Sequence, residues 1–251
     1  MILMDLGIAW LCLLFFAVAA VYSAAGFGGG SSYLAILSFA LDDFLGVRTL
    51  ALLCNLVVVG GSVPLFWKHG FLPPRRAIPL VAASIPAAFI AAQLRLADET
   101  FLTILGMTLV AAAIVMFLQR RDSVAAGDRQ SKMIDASIGG GVGFLAGLVG
   151  IGGGIFLSPL LHLTRWDAAK RIAAVAAFFI LVNSFAGLAG LMVSQQFEIA
   201  QTKWLWVLPA VFIGGQIGVR FCLNSVAVRR IRLLTAVIVL IAGLRILVVV
   251  M

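Results

Sequence analysis

Gly150-Ile151-Gly152-Gly153-Gly154-Ile155-Phe156-Leu157-Ser158-Pro159 repeats a cluster met 124 residues earlier, Gly26-Phe27-Gly28-Gly29-Gly30, in a chain of 251 residues. A motif duplicated at half-length spacing marks a protein built from two structural repeats. Each cluster is followed by a short apolar segment, Ser31 to Leu41 and Ile155 to Leu163. A bilayer crossing takes about 20 helical residues at about 1.5 Å of rise each, so these two segments cover little more than half a membrane.

Composition places the chain in a bilayer. Hydrophobic residues make up 63% and charged residues 11%, whereas a soluble domain is nearer half apolar and a quarter charged. The formal charge of +8 comes from Lys and Arg in short loops between apolar segments, which is membrane topology and excludes a nucleic-acid patch. Cys12, Cys54 and Cys222 form no CxxC or paired pattern and read as small apolar fillers; neither a metal site nor a cofactor is indicated. Leu6 to Ala25 is apolar, but Asp5 precedes it and no Lys or Arg does. The segment is therefore expected to stay in the fold and not to serve as a signal peptide.

Ten segments result, five in each half. The first half has Leu6 to Ala25, Ser31 to Leu41, Thr49 to Trp67, Ala77 to Leu94 and Phe101 to Leu118; the second has Ile134 to Val149, Ile155 to Leu163, Ile172 to Val193, Trp204 to Cys222 and Leu233 to Val250. Loop charges set the parity. With an odd number of traversals per half, one side gathers Lys68, Arg75, Arg76, the linker basics, Arg165, Lys170, Arg171 and the Arg229 to Arg232 group, and the other holds only Arg48, Arg95 and Lys203. The predicted fold is thus all-α and polytopic. It has two repeats of inverted topology, residues 1–118 and 134–251, whose second segments are short or re-entrant, joined by a basic cytoplasmic linker over 119–133, with both termini extracytoplasmic. Trp67 and Trp166 border the basic side, and Trp204 and Trp206 open a segment from the other.

The paired glycine clusters, the run from Gly150 to Pro159, and Asn183-Ser184 with Gly187 downstream resemble the TauE/SafE family of sulfite exporters and related sulfonate permeases. The resemblance covers essentially the whole chain and implies a bacterial inner-membrane transporter of sulfite or an organosulfonate.

The residues point to anion chemistry on their own account. Glycines at membrane depth let backbone approach a ligand closely, and the segment after each cluster starts with unpaired amides and the positive end of a helix dipole. Gly28, Gly29, Gly30, Ser31 and Ser32 from one half and Gly152, Gly153 and Gly154 from the other are expected to meet near the midplane as an anion site. The competing explanation is close helix packing, as Gly214-Gly215-Gln216-Ile217-Gly218 suggests. Asn55, Asn183 and Ser184 need partners inside apolar segments and read either as substrate ligands or as interhelical bonds.

All ten acidic residues fall in or near loops, so no carboxylate relay is visible at mid-membrane. Asp43 and Asp167 match across the repeat and are gating or proton-sensing candidates, with solvated loop charges the alternative. His162 joins them as a residue near the permeation path. The expected partners are a small anionic substrate and the lipid bilayer, with no nucleic acid. A coupling proton or sodium ion and a homo-oligomeric assembly are left open. An enzyme would need a nucleophile with its base or an acidic metal site, neither of which the sequence offers. A passive anion channel is the competing function.

Overall fold

The computed structural model describes residues 2–40, 44–118, 131–199, 202–224 and 228–250. Residues 119–130 of the linker expected over 119–133, and the candidate Asp43, lie outside these residues. Among the described residues ten α-helices are present: α1 (Ile2–Ala24), α2 (Gly30–Ala40), α3 (Phe44–Lys68), α4 (Pro74–Ala92), α5 (Asp98–Leu118), α6 (Lys132–Val149), α7 (Gly154–Leu163), α8 (Ala169–Val193), α9 (Val207–Asn224) and α10 (Val228–Val250). Each matches one expected segment to within a few residues. A 3₁₀ turn, Thr202–Trp206, leads into α9, and α6 starts at Lys132, two residues inside the expected linker. Among the described residues seven helices are long and apolar enough to cross a membrane. The half-length α2 and α7 have 11 and 10 residues. The protein is an all-α polytopic integral membrane protein.

Packing partners recur between the halves. α4 packs on α6 as α9 packs on α1, α2 on α3 as α7 on α8, and α4 on α8 as α9 on α3, while α3 pairs with α8 and α5 with α10. The spans richest in buried residues are α3 and α8. Large apolar side chains such as Ile78, Ile90, Met107, Phe185, Ile213 and Ile241 point outward, as a lipid-facing surface requires.

Without a hydrophobic drive between helices in lipid, tight packing falls to small residues. On α6 the stripe Gly139, Gly143, Gly147 lies against the backbone of Leu80, Ser84 and Ala88 on α4. On α9, Gly214 and Gly218 meet the carbonyls of Phe16 and Ala20 on α1, and Gly106 and Gly243 meet between α5 and α10. The packing explanation therefore holds for the Gly214 to Gly218 run.

Trp166 departs from its expected place in an interfacial belt. Its ring is 1% exposed, donates through Nε1 to Asp135 at 3.1 Å, and is covered by the Arg76 guanidinium at 4.5 Å. Trp67 and Trp206 are exposed as a belt demands.

A side chain at Gly143 would place its Cβ 2.6 Å from the Ser84 Cα, so Gly143→Val should destabilise the α4–α6 contact by roughly 1–3 kcal/mol. Gly141 faces open space, and Gly141→Ala should be neutral. Thermal melting of the two variants in detergent checks the contrast; equal midpoints would refute it.

Candidate functional site

The two glycine clusters fold alike at their helix ends and at the turns into the short helices, and differ between them, where Gly152 (φ 80°) is left-handed and Gly28 is not. α1 and α6 each stop at a left-handed glycine, Gly26 (φ 83°) and Gly150 (φ 79°), closed by matching bonds from Phe27 N to Tyr22 O (2.8 Å) and from Ile151 N to Ala146 O (3.3 Å). This is the Schellman closure, which satisfies carbonyls that a helix end leaves open. The chain then turns through a second left-handed glycine, Gly29 (φ 90°) and Gly153 (φ 85°). Their carbonyls accept from Ser32 and Tyr33 in one half and from Phe156 and Leu157 in the other, at 3.0–3.1 Å. The recurrence extends to the loops after α3 and α8, where Phe71 N bonds Phe66 O (3.0 Å) and Gln196 N bonds Leu191 O (2.8 Å).

These loops meet at Asn55. Its Nδ2 donates to the Ile151 carbonyl at 2.8 Å, tying α3 to the second glycine loop, and its Oδ1 is buried without a partner. A Cβ at Gly28 would stand 2.5 Å from that Oδ1, and one at Gly30 would stand 2.8 Å from the Ile151 carbonyl. A Cβ at Gly152 would lie 2.9 Å from Ser184 Oγ and 3.0 Å from Asn55 Nδ2. Gly28, Gly30 and Gly152 are thus glycine because α3 and α8 crowd them. Gly29 and Gly153 are held by backbone conformation, with Tyr33 and Phe179 rings against them, and Gly154 abuts Ile180. Both loops line one small cavity of ≈ 10 Å³, bounded by Gly28 to Ser31, Ile151, Ile155 and Ile180, with room for about one water. Ser31 Oγ and Ser184 Oγ are buried there or beside it without partners.

The remaining candidates divide. Ser32 pairs with Tyr22, hydroxyl to hydroxyl at 2.6 Å. Asn183 is not among the residues that line the cavity; its Nδ2 donates to Ser84 Oγ on α4 at 3.1 Å and to the Phe179 carbonyl at 2.8 Å, an interhelical bond, while its Oδ1 is buried without a partner. His162, near the far end of α7, is buried with Nδ1 donating to the Ser158 carbonyl at 2.8 Å. The solvated alternative for Asp167 fails. It is buried and ion-paired with Arg76 at 3.0 Å and Arg171 at 3.6 Å, and its Oδ1 accepts from Ala168 N at the start of α8. Tyr22 also lines the cavity, and no sequence signal singles it out, because nothing in a uniformly apolar stretch tells which side chains converge.

Half-length helices starting at irregular loops around buried polar groups define a polytopic membrane transporter. The family model described as sulfite exporter TauE/SafE matches residues 11–246. A "probable membrane transporter protein" of Sinorhizobium fredii is 30% identical over 249 residues, covering 97% of this chain and all of its own. A protein of the same description from Methanocaldococcus jannaschii is 29% identical over 184 residues, covering 69% of this chain and 68% of its own. The chain belongs to the sulfite exporter TauE/SafE family. No solved structure gives a significant match.

Asn55→Ala would free the Ile151 carbonyl inside the protein, a loss of roughly 1–3 kcal/mol, which is about 5- to 150-fold. Transport should fall by at least about fivefold with membrane insertion preserved. Asn183→Ala should cost about 1 kcal/mol of stability and leave transport within about twofold. Flux and melting midpoints of the purified variants, measured side by side, decide; the reverse pattern would move the site to α8 and α4.

Proposed function

We propose that this transporter carries small anions, namely sulfite, organosulfonates or related sulfur-containing and carboxylate anions, by alternating access at the site between the two glycine loops. The observation that carries this reading is the meeting of two loops with matching helix-end and helix-start bonds, each opening a half-length helix, around Asn55 and one shared cavity. The first amides of α2 and α7 have no intrahelical acceptor, and each helix start bears a partial positive charge. Together with the Ser31 and Ser184 hydroxyls they stabilise an anion without a fixed countercharge. A cavity that holds about one water in this conformation suits a carrier that opens around its substrate better than a standing pore.

In the same reading residues 1–118 and 134–251 are inverted repeats. The recurring helix pairings support it, as does the gathering of basic ends, where Arg76 at the start of α4 reaches Asp167 and Lys170 at the start of α8 reaches the Leu223 carbonyl at the end of α9. Positive residues mark the cytoplasmic side, so both termini face outward from a bacterial inner membrane. Asp167, locked between Arg76 and Arg171, serves as a cytoplasmic gate, and a proton or sodium ion is the coupling partner.

Uptake of labelled sulfite into proteoliposomes, with taurine, sulfate, thiosulfate, acetate and chloride as competitors and with a pH gradient imposed or collapsed, tests the reading. Saturable, competitor-sensitive uptake is expected, and Gly29→Val and Gly153→Val should abolish it while the protein still inserts. Flux that rises linearly with concentration would make it a channel, and no anion flux under any gradient would refute the anion reading.

A further inference from the structure

Arg48 stands outside this scheme. The loop charge expected on the side away from the basic face is instead part of α3, five residues from its start, and only 3% exposed. A buried guanidinium in a membrane protein is costly and marks function unless a counter-ion explains it. No described carboxylate pairs with Arg48. Its Nη2 donates to the Gly147 carbonyl at 3.2 Å and reaches the Ala92 carbonyl at 3.5 Å, in the last turns of α6 and α4, where helix dipoles favour a cation. The Phe101 ring lies 5.7 Å from the guanidinium carbon. These contacts hold the group in place, and none among the described residues is with a carboxylate.

One donor of the group is left over. Nε is buried and makes no hydrogen bond, and a Cβ on Gly150 would stand 3.7 Å from it, so it borders the glycine that opens the second loop. The next residue, Thr49, also buries a hydroxyl without a partner. We propose that Arg48 forms a second oxyanion subsite, beside Gly150 and separate from the cradle at Asn55, on the side of the molecule away from Arg75 and Arg76. The guanidinium binds the oxyanion by charge-assisted hydrogen bonds, and the full charge that the glycine cradle lacks is supplied one step along the path. The proposal rests on the anion reading above.

Crystals of the wild-type protein soaked in selenite, whose selenium scatters anomalously, report on both places at once. A selenium peak in contact with the Arg48 guanidinium is expected, with or without a second at Asn55. A peak at Asn55 alone, or none, overturns the proposal. A peak at Arg48 alone upholds it and removes the glycine cradle instead. In solution, Arg48→Gln should need about tenfold or more selenite for half-maximal thermal stabilisation, with Arg48→Lys in between because it keeps the charge but loses the planar fork. A folded Arg48→Gln variant with the wild-type selenite dependence would contradict it; if that variant does not fold, the wild-type crystals decide.

Discussion

Non-helical backbone inside a bilayer must satisfy its own polar groups, since each one left bare costs several kcal/mol. The two breaks in this chain, at Gly26 to Gly30 and Gly150 to Gly154, meet that demand in two ways. Schellman closures consume the carbonyls that α1 and α6 leave open, and Asn55 takes up the exposed carbonyl of Ile151 from a neighbouring helix. Because that bond reaches from the first half into the second, it holds the two breaks against one another. The shared cavity and the crowding of Gly28, Gly30 and Gly152 are consequences of that contact.

Glycine serves two separate purposes in this fold. At Gly139, Gly143, Gly147, Gly214 and Gly218 it lets helices approach to backbone contact, the usual means of association in lipid. In the two loops it gives the left-handed turns at Gly29 and Gly153 and the space that Asn55, Ile180 and Ser184 occupy. The first use builds a rigid scaffold of paired spans. The second leaves a small cavity between the loops, with the buried Ser31 hydroxyl at its wall.

Much of the architecture was legible in the sequence. All ten segments, including the two short ones, follow from hydropathy length and glycine punctuation, because a bilayer imposes a minimum length that a reader can count. The glycine loops were legible because they were duplicated. What remained hidden was which side chains face inward. A helix that is apolar all round carries no polar stripe to orient it, so Arg48 read as a loop charge, Trp166 as an interfacial ring, and Asp167 as either gate or solvated carboxylate. Asn55 and Asn183 looked equivalent in sequence, and only the neighbours of α3 and α8 separate the one that joins the glycine loops from the one that bridges to Ser84.

Alternating access requires the two loops to form one site reached in turn from both sides of the membrane. Side-resolved cysteine labelling tests it most directly: Ser31→Cys and Ser184→Cys, each with Cys12, Cys54 and Cys222 replaced, exposed to a membrane-impermeant thiol reagent from one face or the other with and without sulfite. The account predicts that each position is labelled from both faces and that sulfite protects both over the same concentration range. Labelling of each from one face only, with no protection by sulfite, would contradict it.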